Sequence, residues 1–206
     1  ARAQRFDGQV VTVASMQICR GMAVGTAAPT AEEMEGVPHH MIGVADPWES
    51  WSAARFTQAA DACVQDILRR GRRPILVGGT GLYLDALLRG IDFAAGSQDT
   101  PLRRQLQERL RREGAEALLE ELRRIDPDSA VRLHLRDEKR ILRALEGYQA
   151  TGETITQHDR RTREQPPRYE GLFIGLNFQD RQDLRDRIDR RVDDMAKGLI
   201  AIGVER

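Results

Sequence analysis

The sequence predicts an α/β fold in which helices flank a parallel sheet and a helical insertion interrupts it. Three observations carry this expectation. Residues 1–90 alternate apolar, strand-length runs with helix; at Pro101 the texture turns to charged amphipathic helix; and after Arg168 an apolar run, Gly171 to Asn177, returns ahead of another helix. The core is therefore expected to span 1–100 and 168–206, with 101–167 as the helical insertion.

Taken in order, Ala1 to Gly8 reads as the tail of a helix and Val10-Val-Thr-Val13 as a buried strand. Ser52 starts a helix in which Phe56, Ala60, Val64, Ile67 and Leu68 recur at helical spacing until Gly71 stops it. Ile75 to Val77 is the next strand, and a continuous apolar strand after a crossover helix implies parallel pairing with both faces covered. In the insertion, Leu102, Leu106 and Leu110 form one stripe and Leu118, Leu119 and Leu122 another beyond Gly114, until Asp126-Pro127 breaks the pattern. Glu138 to Ala150 is a helix with Ile141, Leu142, Leu145 and Tyr148 inside, closed by Thr151-Gly152. Glu153 to Arg168 has two prolines and no period, so a loop is expected. Gly171 to Asn177 reads as a buried strand, and Asp180 to Gly198 as a helix striped by Leu184, Ile188, Val192, Met195 and Leu199.

The chain has 206 residues, 40% of them hydrophobic, enough to bury a core. Lys and Arg number 32 and Asp and Glu 32, so no global field draws it to nucleic acid and any RNA contact must come from local patches. Cys19 and Cys63, on an apolar strand end and a helix face, fit reduced structural thiols. No run of about 18 apolar residues and no signal peptide is visible. These features together fit a soluble, cytoplasmic protein without a membrane span.

The most informative stretch is Arg73-Pro-Ile-Leu-Val-Gly-Gly-Thr-Gly-Leu-Tyr83, a strand running into a glycine turn and then a helix. Gly78, Gly79 and Gly81 allow close backbone approach, and the unpaired N–H groups of the following helix favour an anion. Thr80 stands at the mouth of this turn, where it either meets a ligand or only caps the helix Leu82 to Arg89. Between Arg132 and Arg143 lie five basic and two acidic residues; Arg136, Lys139, Arg140 and Arg143 suit a phosphate backbone, or equally a solvated helix face. Arg160, Arg161, Arg163 and Arg168 make a second basic cluster that reads as plain surface. His39-His40 has no partner at ligand spacing, so no metal site is assigned. Trp48 and Trp51 are suited to stacking on a base, but are expected to be packed loop anchors.

In order and separation, four segments resemble the tRNA dimethylallyltransferase family, also called tRNA isopentenyltransferases. They are Val10 to Thr30 with its glycine-punctuated loop, Pro38-His-His-Met-Ile42, the Arg73 to Tyr83 turn, and Asp137-Glu-Lys-Arg-Ile-Leu-Arg-Ala-Leu-Glu146. The resemblance covers nearly the whole chain. It implies a P-loop-kinase-like sheet and transfer of a dimethylallyl group from its diphosphate to N6 of the adenosine beside the tRNA anticodon. It also implies a monomer that uses Mg2+, with the tRNA anticodon stem-loop and dimethylallyl diphosphate as partners. By the same resemblance, position 14 contacts the adenine amine as the base, and Thr80 lies beside that amine and the leaving group. Gly78, Gly79 and Gly81 with Arg181 and Arg185 are assigned to the diphosphate. Ser15, Met16, Gln17, Arg103, Lys139, Arg140, Ile141, Leu142 and Arg143 are assigned to tRNA.

The chain departs from the family at particular positions. The family's aspartate in aspartate-serine-methionine-glutamine is Ala14, and Ala23, Ala28 and Gly43 stand where acidic, lysine and acidic residues are common. A first strand and P-loop are expected immediately before Ala1, and Gly198-Leu-Ile abuts Ala201-Ile-Gly where the family has a longer stretch. Two alternatives remain open on sequence: a P-loop kinase of a small metabolite or nucleotide, for which Arg181, Arg185 and Arg187 would serve a lid, and a catalytically inactive tRNA-binding relative.

Overall fold

The structure, a computed structural model, describes residues 2–91 and 100–201, so the domain boundary expected at residue 100 and the Ala201-Ile-Gly203 junction fall partly outside the described residues. It divides into two compact units, Ala1–Gly90 with Arg168–Arg206, and Ile91–Pro167. Along the chain run α1 (Arg2–Arg5), β1 (Gly8–Thr12), α2 (Ala23–Thr26), β2 (His39–His40), α3 (Ala53–Arg69), β3 (Arg73–Val77) and α4 (Gly81–Arg89). The second unit contains α5 (Pro101–Ile125), α6 (Pro127–Val131), α7 (Glu138–Thr151) and α8 (Ile155–Glu164). The long helix α9 (Arg181–Ala201) belongs to the first unit.

The sheet of the first unit is parallel, in the order β2-β1-β3, with Val10 opposite His39 and Ile75, and Val11 opposite His40 and Leu76. All of β1 is buried, including Gln9, whose Oε1 accepts from the Arg70 Nη2 group at 3.1 Å and lies 2.8 Å from His40 Nε2. His39 Nδ1 turns the other way, to the Val37 carbonyl at 2.8 Å. Ser52 caps α3 by accepting the Arg55 N–H at 3.2 Å, and the helix buries Phe56, Ala60, Val64 and Ile67 against the sheet. Phe56 stacks on Tyr83 of α4 with ring centroids 4.1 Å apart. Burying Phe56, Val64 or Ile67 contributes about 1.5–3 kcal/mol each.

Several expectations for this unit need correction. Leu68 is 45% exposed, because the inner face of α3 is already filled by the residues one turn earlier and by its neighbour Ile67. Strand β3 is only half covered, with Val77 exposed, since it forms one edge of the described sheet. The run Gly171 to Asn177 is irregular and exposed rather than a buried strand. A strand persists only where its N–H and C=O groups find a ladder, and among the described residues this run pairs with none. The α9 stripe at Leu184, Ile188 and Val192 is likewise uncovered. What fastens the returning chain is Tyr169: its hydroxyl donates to Asp61 Oδ1 at 2.6 Å and accepts from Gln65, while Arg168 pairs with Asp61 Oδ2 at 2.7 Å.

The second unit is helical. Gly114, at φ +83°, breaks α5 into two arms at a conformation that favours glycine. Leu106 on one arm and Leu118, Leu119 and Leu122 on the other meet Ile141, Leu142 and Leu145 of α7. The loop expected from Glu153 to Arg168 is in large part the helix α8. Its signal is Thr154-Ile-Thr-Gln157, a capping box in which Thr154 Oγ1 accepts the Gln157 N–H at 3.1 Å and Gln157 Oε1 accepts the Thr154 N–H at 2.9 Å. No residue within α8 is fully buried, so a search for apolar period passes over it. Asp126 ties α8 to α6, accepting from Thr156 Oγ1 at 2.6 Å, from the Thr156 N–H at 3.0 Å and from the Ser129 N–H at 3.1 Å. No helix among the described residues is long and apolar enough to cross a membrane.

Candidate active site at the carboxyl edge of the sheet

Because β1, β2 and β3 are parallel, the loops after them emerge at one edge, the side on which open α/β sheets bind ligands. The loop after β1 carries Ala14, Ser15, Met16 and Gln17; the turn after β3 carries Gly78, Gly79, Thr80 and Gly81. Hydrogen bonds join the two segments. Val13 N–H donates to the Val77 carbonyl at 2.7 Å, Thr80 N–H donates to the Val13 carbonyl at 3.2 Å, and Ser15 N–H donates to Thr80 Oγ1 at 3.1 Å. Thr80 sits at the N-cap position of α4 without a side-chain capping bond, so the capping alternative does not hold: the hydroxyl is turned to the β1 loop instead.

The glycines divide by role. A Cβ on Gly78 would lie 2.1 Å from the Val13 carbonyl oxygen, so the close approach at this position is to the backbone of the neighbouring loop rather than to a ligand. Gly79 and Gly81 face open space. Tyr83 and Leu84 N–H groups are spent on the Thr80 carbonyl, at 3.0 and 3.2 Å, which leaves the Gly81 and Leu82 N–H groups of the first turn without a backbone partner among the described residues.

Among the β1-loop residues, Ala14 is half-buried and Ser15 and Met16 are exposed. Gln17 is committed internally, its amide donating to the Thr26 and Ala27 carbonyls at 3.3 and 2.9 Å, so it is a brace for α2 rather than a free contact. Arg181 and Arg185, assigned with the glycines to one anion, make no hydrogen bond or ion pair with the turn among the described residues; they are exposed on α9, the helix that packs on α2. Farther along α9, Arg187, Arg190 and Arg191 line a groove against Ala23, Val24 and Ala28.

In the helical unit, Lys139, Arg140 and Arg143 are exposed on α7, with Arg140 3.8 Å from Asp137. Ile141 and Leu142 are buried in the core of that unit, so their side chains cannot present to tRNA; helical period turns them inward while their neighbours face out. Arg103 is also withdrawn, its guanidinium held by Glu146 at 3.1 Å in a pair with side chains 18% and 13% exposed. The second basic cluster separates: Arg160 and Arg163 with Arg132 line a cavity of about 350 Å³, Arg161 pairs with Glu153 at 3.0 Å, and Arg168 belongs to the Asp61 pair.

The sequence and fold recur in known proteins. The family model described as IPP transferase matches residues 17–201. The chain belongs to the IPP transferase family. It is 48% identical over 200 residues to tRNA dimethylallyltransferase 1 of Pelobacter propionicus, covering 96% of this chain and 64% of that protein. The tRNA dimethylallyltransferase of Halalkalibacterium halodurans is 44% identical, with 96% and 63% covered. Among solved structures, the tRNA isopentenylpyrophosphate transferase of Bacillus halodurans superposes with a TM-score of 0.58 at 40% identity, over 98% of this chain and 65% of that one. A eukaryotic dimethylallyltransferase acting on tRNA gives 0.73 at 31% identity, over 95% and 48%. The chain thus spans less than two thirds of the length of these relatives. The α/β fold expected from the sequence is the fold of this family, and nothing in the structure or the relatives favours the kinase alternative.

Proposed function

We propose that the chain is part of a tRNA dimethylallyltransferase that transfers a dimethylallyl group from dimethylallyl diphosphate to N6 of the adenosine adjacent to the anticodon. The observation that carries this reading is the clip between the two strand-end loops, Ser15 N–H on Thr80 Oγ1, in a chain of this family. In the reaction the N6 lone pair forms a bond to the allylic carbon, the carbon–oxygen bond breaks with its electrons leaving on diphosphate, and N6 gives up one proton. The adenine must first leave the anticodon stack. Thr80 Oγ1 uses one lone pair on Ser15, which leaves its own O–H and a second lone pair for the leaving oxygen and the amine. The Gly81 and Leu82 N–H groups, beside the open space at Gly79 and Gly81, are suited to the anionic diphosphate.

Two groups of the family's chemistry are not furnished by these residues. Segments 13–17 and 78–81 contain hydroxyls and carbonyls but no carboxylate, and the described residues contain no group of three or more His, Cys, Asp or Glu that could hold a metal ion. Any Mg2+ at this edge would therefore be held mainly by the diphosphate and water, with hydroxyl and carbonyl oxygens as the protein's contribution, and no step is routed through the ion. Position 14, the family's aspartate, is a methyl group, so transfer is expected to be slow for want of a base. Replacing Ala14 by Asp should raise single-turnover transfer to an anticodon stem-loop by about 10² to 10⁴. Equal rates for the two forms would place the base elsewhere; no transfer and no RNA binding by either would remove the reading.

A further inference from the structure

Trp48 is the largest and most exposed apolar side chain in the loops at the carboxyl edge, at 83% exposure. Of the two tryptophans expected to be packed anchors only Trp51 is one, packing on the core with the Arg55 guanidinium 4.2 Å from its ring centroid. The same short loop packs one indole half-buried on the core and presents the other, although leaving an indole in water forfeits a large apolar area.

The loop that presents Trp48 is held firmly. Gly43 N–H donates to the Gln17 carbonyl at 2.9 Å, Ala45 N–H to Ile18 at 2.9 Å, and Arg20 N–H to Ala45 at 2.7 Å, so the chain after β2 is laced to the continuation of the β1 loop. Asp46 pairs with Arg20 at 3.1 Å and Glu49 with Arg55 at 2.6 Å, and Glu49 N–H closes a turn onto the Asp46 carbonyl at 2.9 Å. The two carboxylates flanking Trp48 are thereby neutralised by two arginines. An outward aromatic face on a loop held by these bonds is what single-stranded nucleic acid stacks upon, since every base offers a π face and stacking asks for no particular hydrogen-bond pattern. A single exposed indole in a loop that also carries Asp46 and Glu49 lacks the apolar area a lipid surface needs.

We propose that Trp48 is a stacking platform for an unpaired base of the RNA substrate, at the edge of the sheet that carries Thr80. This rests on the reading that the substrate is RNA. The chain has two tryptophans, so the difference in emission between the unaltered protein and Trp48→Phe isolates Trp48. Titration with an anticodon stem-loop RNA should quench that difference signal, a fully paired RNA of equal length should quench it far less, and Trp48→Ala should weaken stem-loop binding by about 5- to 150-fold. Trp48→Phe should keep most of the affinity, because it keeps a ring. Stem-loop retention on filters with no quenching, or with equal quenching by paired RNA, or with affinity unchanged in Trp48→Ala, would overturn the stacking role while leaving the transferase reading intact. Failure of the stem-loop to be retained at low salt would overturn both. An exposed side chain can be truncated without unfolding the protein, so loss of affinity with an unchanged circular dichroism spectrum is the expected result.

Discussion

Thr80 follows the glycine turn as an N-cap residue would, yet its oxygen accepts from Ser15 across the sheet edge rather than from its own helix. One hydroxyl thus ties two loops that are 65 residues apart in sequence. Thr80→Ala should lower the chemical rate by roughly 10²-fold, the scale of losing one donor at a developing charge, and leave tRNA affinity nearly unchanged, whereas Thr80→Ser should retain most activity. Single-turnover rates paired with filter binding test this; parallel loss of rate and affinity in Thr80→Ala would mean that the clip supports the RNA surface and not the chemistry.

At the scale of elements, α8 depends on its ends. Burial works against the Asp126 carboxylate, but hydrogen bonds from the Thr156 hydroxyl, the Thr156 N–H and the Ser129 N–H outweigh it and hold the pKa below its ordinary value. A carboxyl depressed on folding contributes stability above its unfolded pKa, about 3.9, and loses it as pH falls through the folded value. Asp126→Ala should therefore destabilise the helical unit by about 1–3 kcal/mol near neutrality, because three donors lose their acceptor. Urea denaturation at pH 7 and below pH 4 checks it, with the difference from the unaltered protein shrinking at the lower pH. On α7, Lys139, Arg140 and Arg143 face water while Ile141 and Leu142 hold the core. Neutralising each cation in turn should lower the magnitude of the tRNA salt slope by about one. An unchanged slope in log–log binding plots would make that face ordinary surface.

At the scale of the whole molecule, β3 forms an edge of the described sheet, and Leu172 and Leu176 are each 90% exposed. Unpaired edges and apolar runs favour association. The 206-residue polypeptide should bind a hydrophobic dye and self-associate in light scattering, and Leu172→Lys combined with Leu176→Lys should reduce both. Monodisperse behaviour without dye binding, or no change in the double variant, would show that this surface is not the site of association.

Local pattern was enough for much of this protein. Apolar period placed β1, α3, β3, α7 and α9, the leucine stripes either side of Gly114 predicted the two arms of α5, and the ordered motifs pointed to the family, because each of these signals is carried by residues close together in sequence. Tertiary structure alone decided that Thr80 bonds to Ser15, that Gly78 makes room for Val13, that Gln17 and Arg103 are spent internally, and that Trp48 is presented while Trp51 is packed. It also decided that 171–177 has no ladder to join and that α8 forms on caps and the Asp126 carboxylate rather than on an apolar face. The reason is common to all of them: a side chain's partner across a sheet edge or between helices is set by which distant segments meet, and neither period nor propensity carries that information.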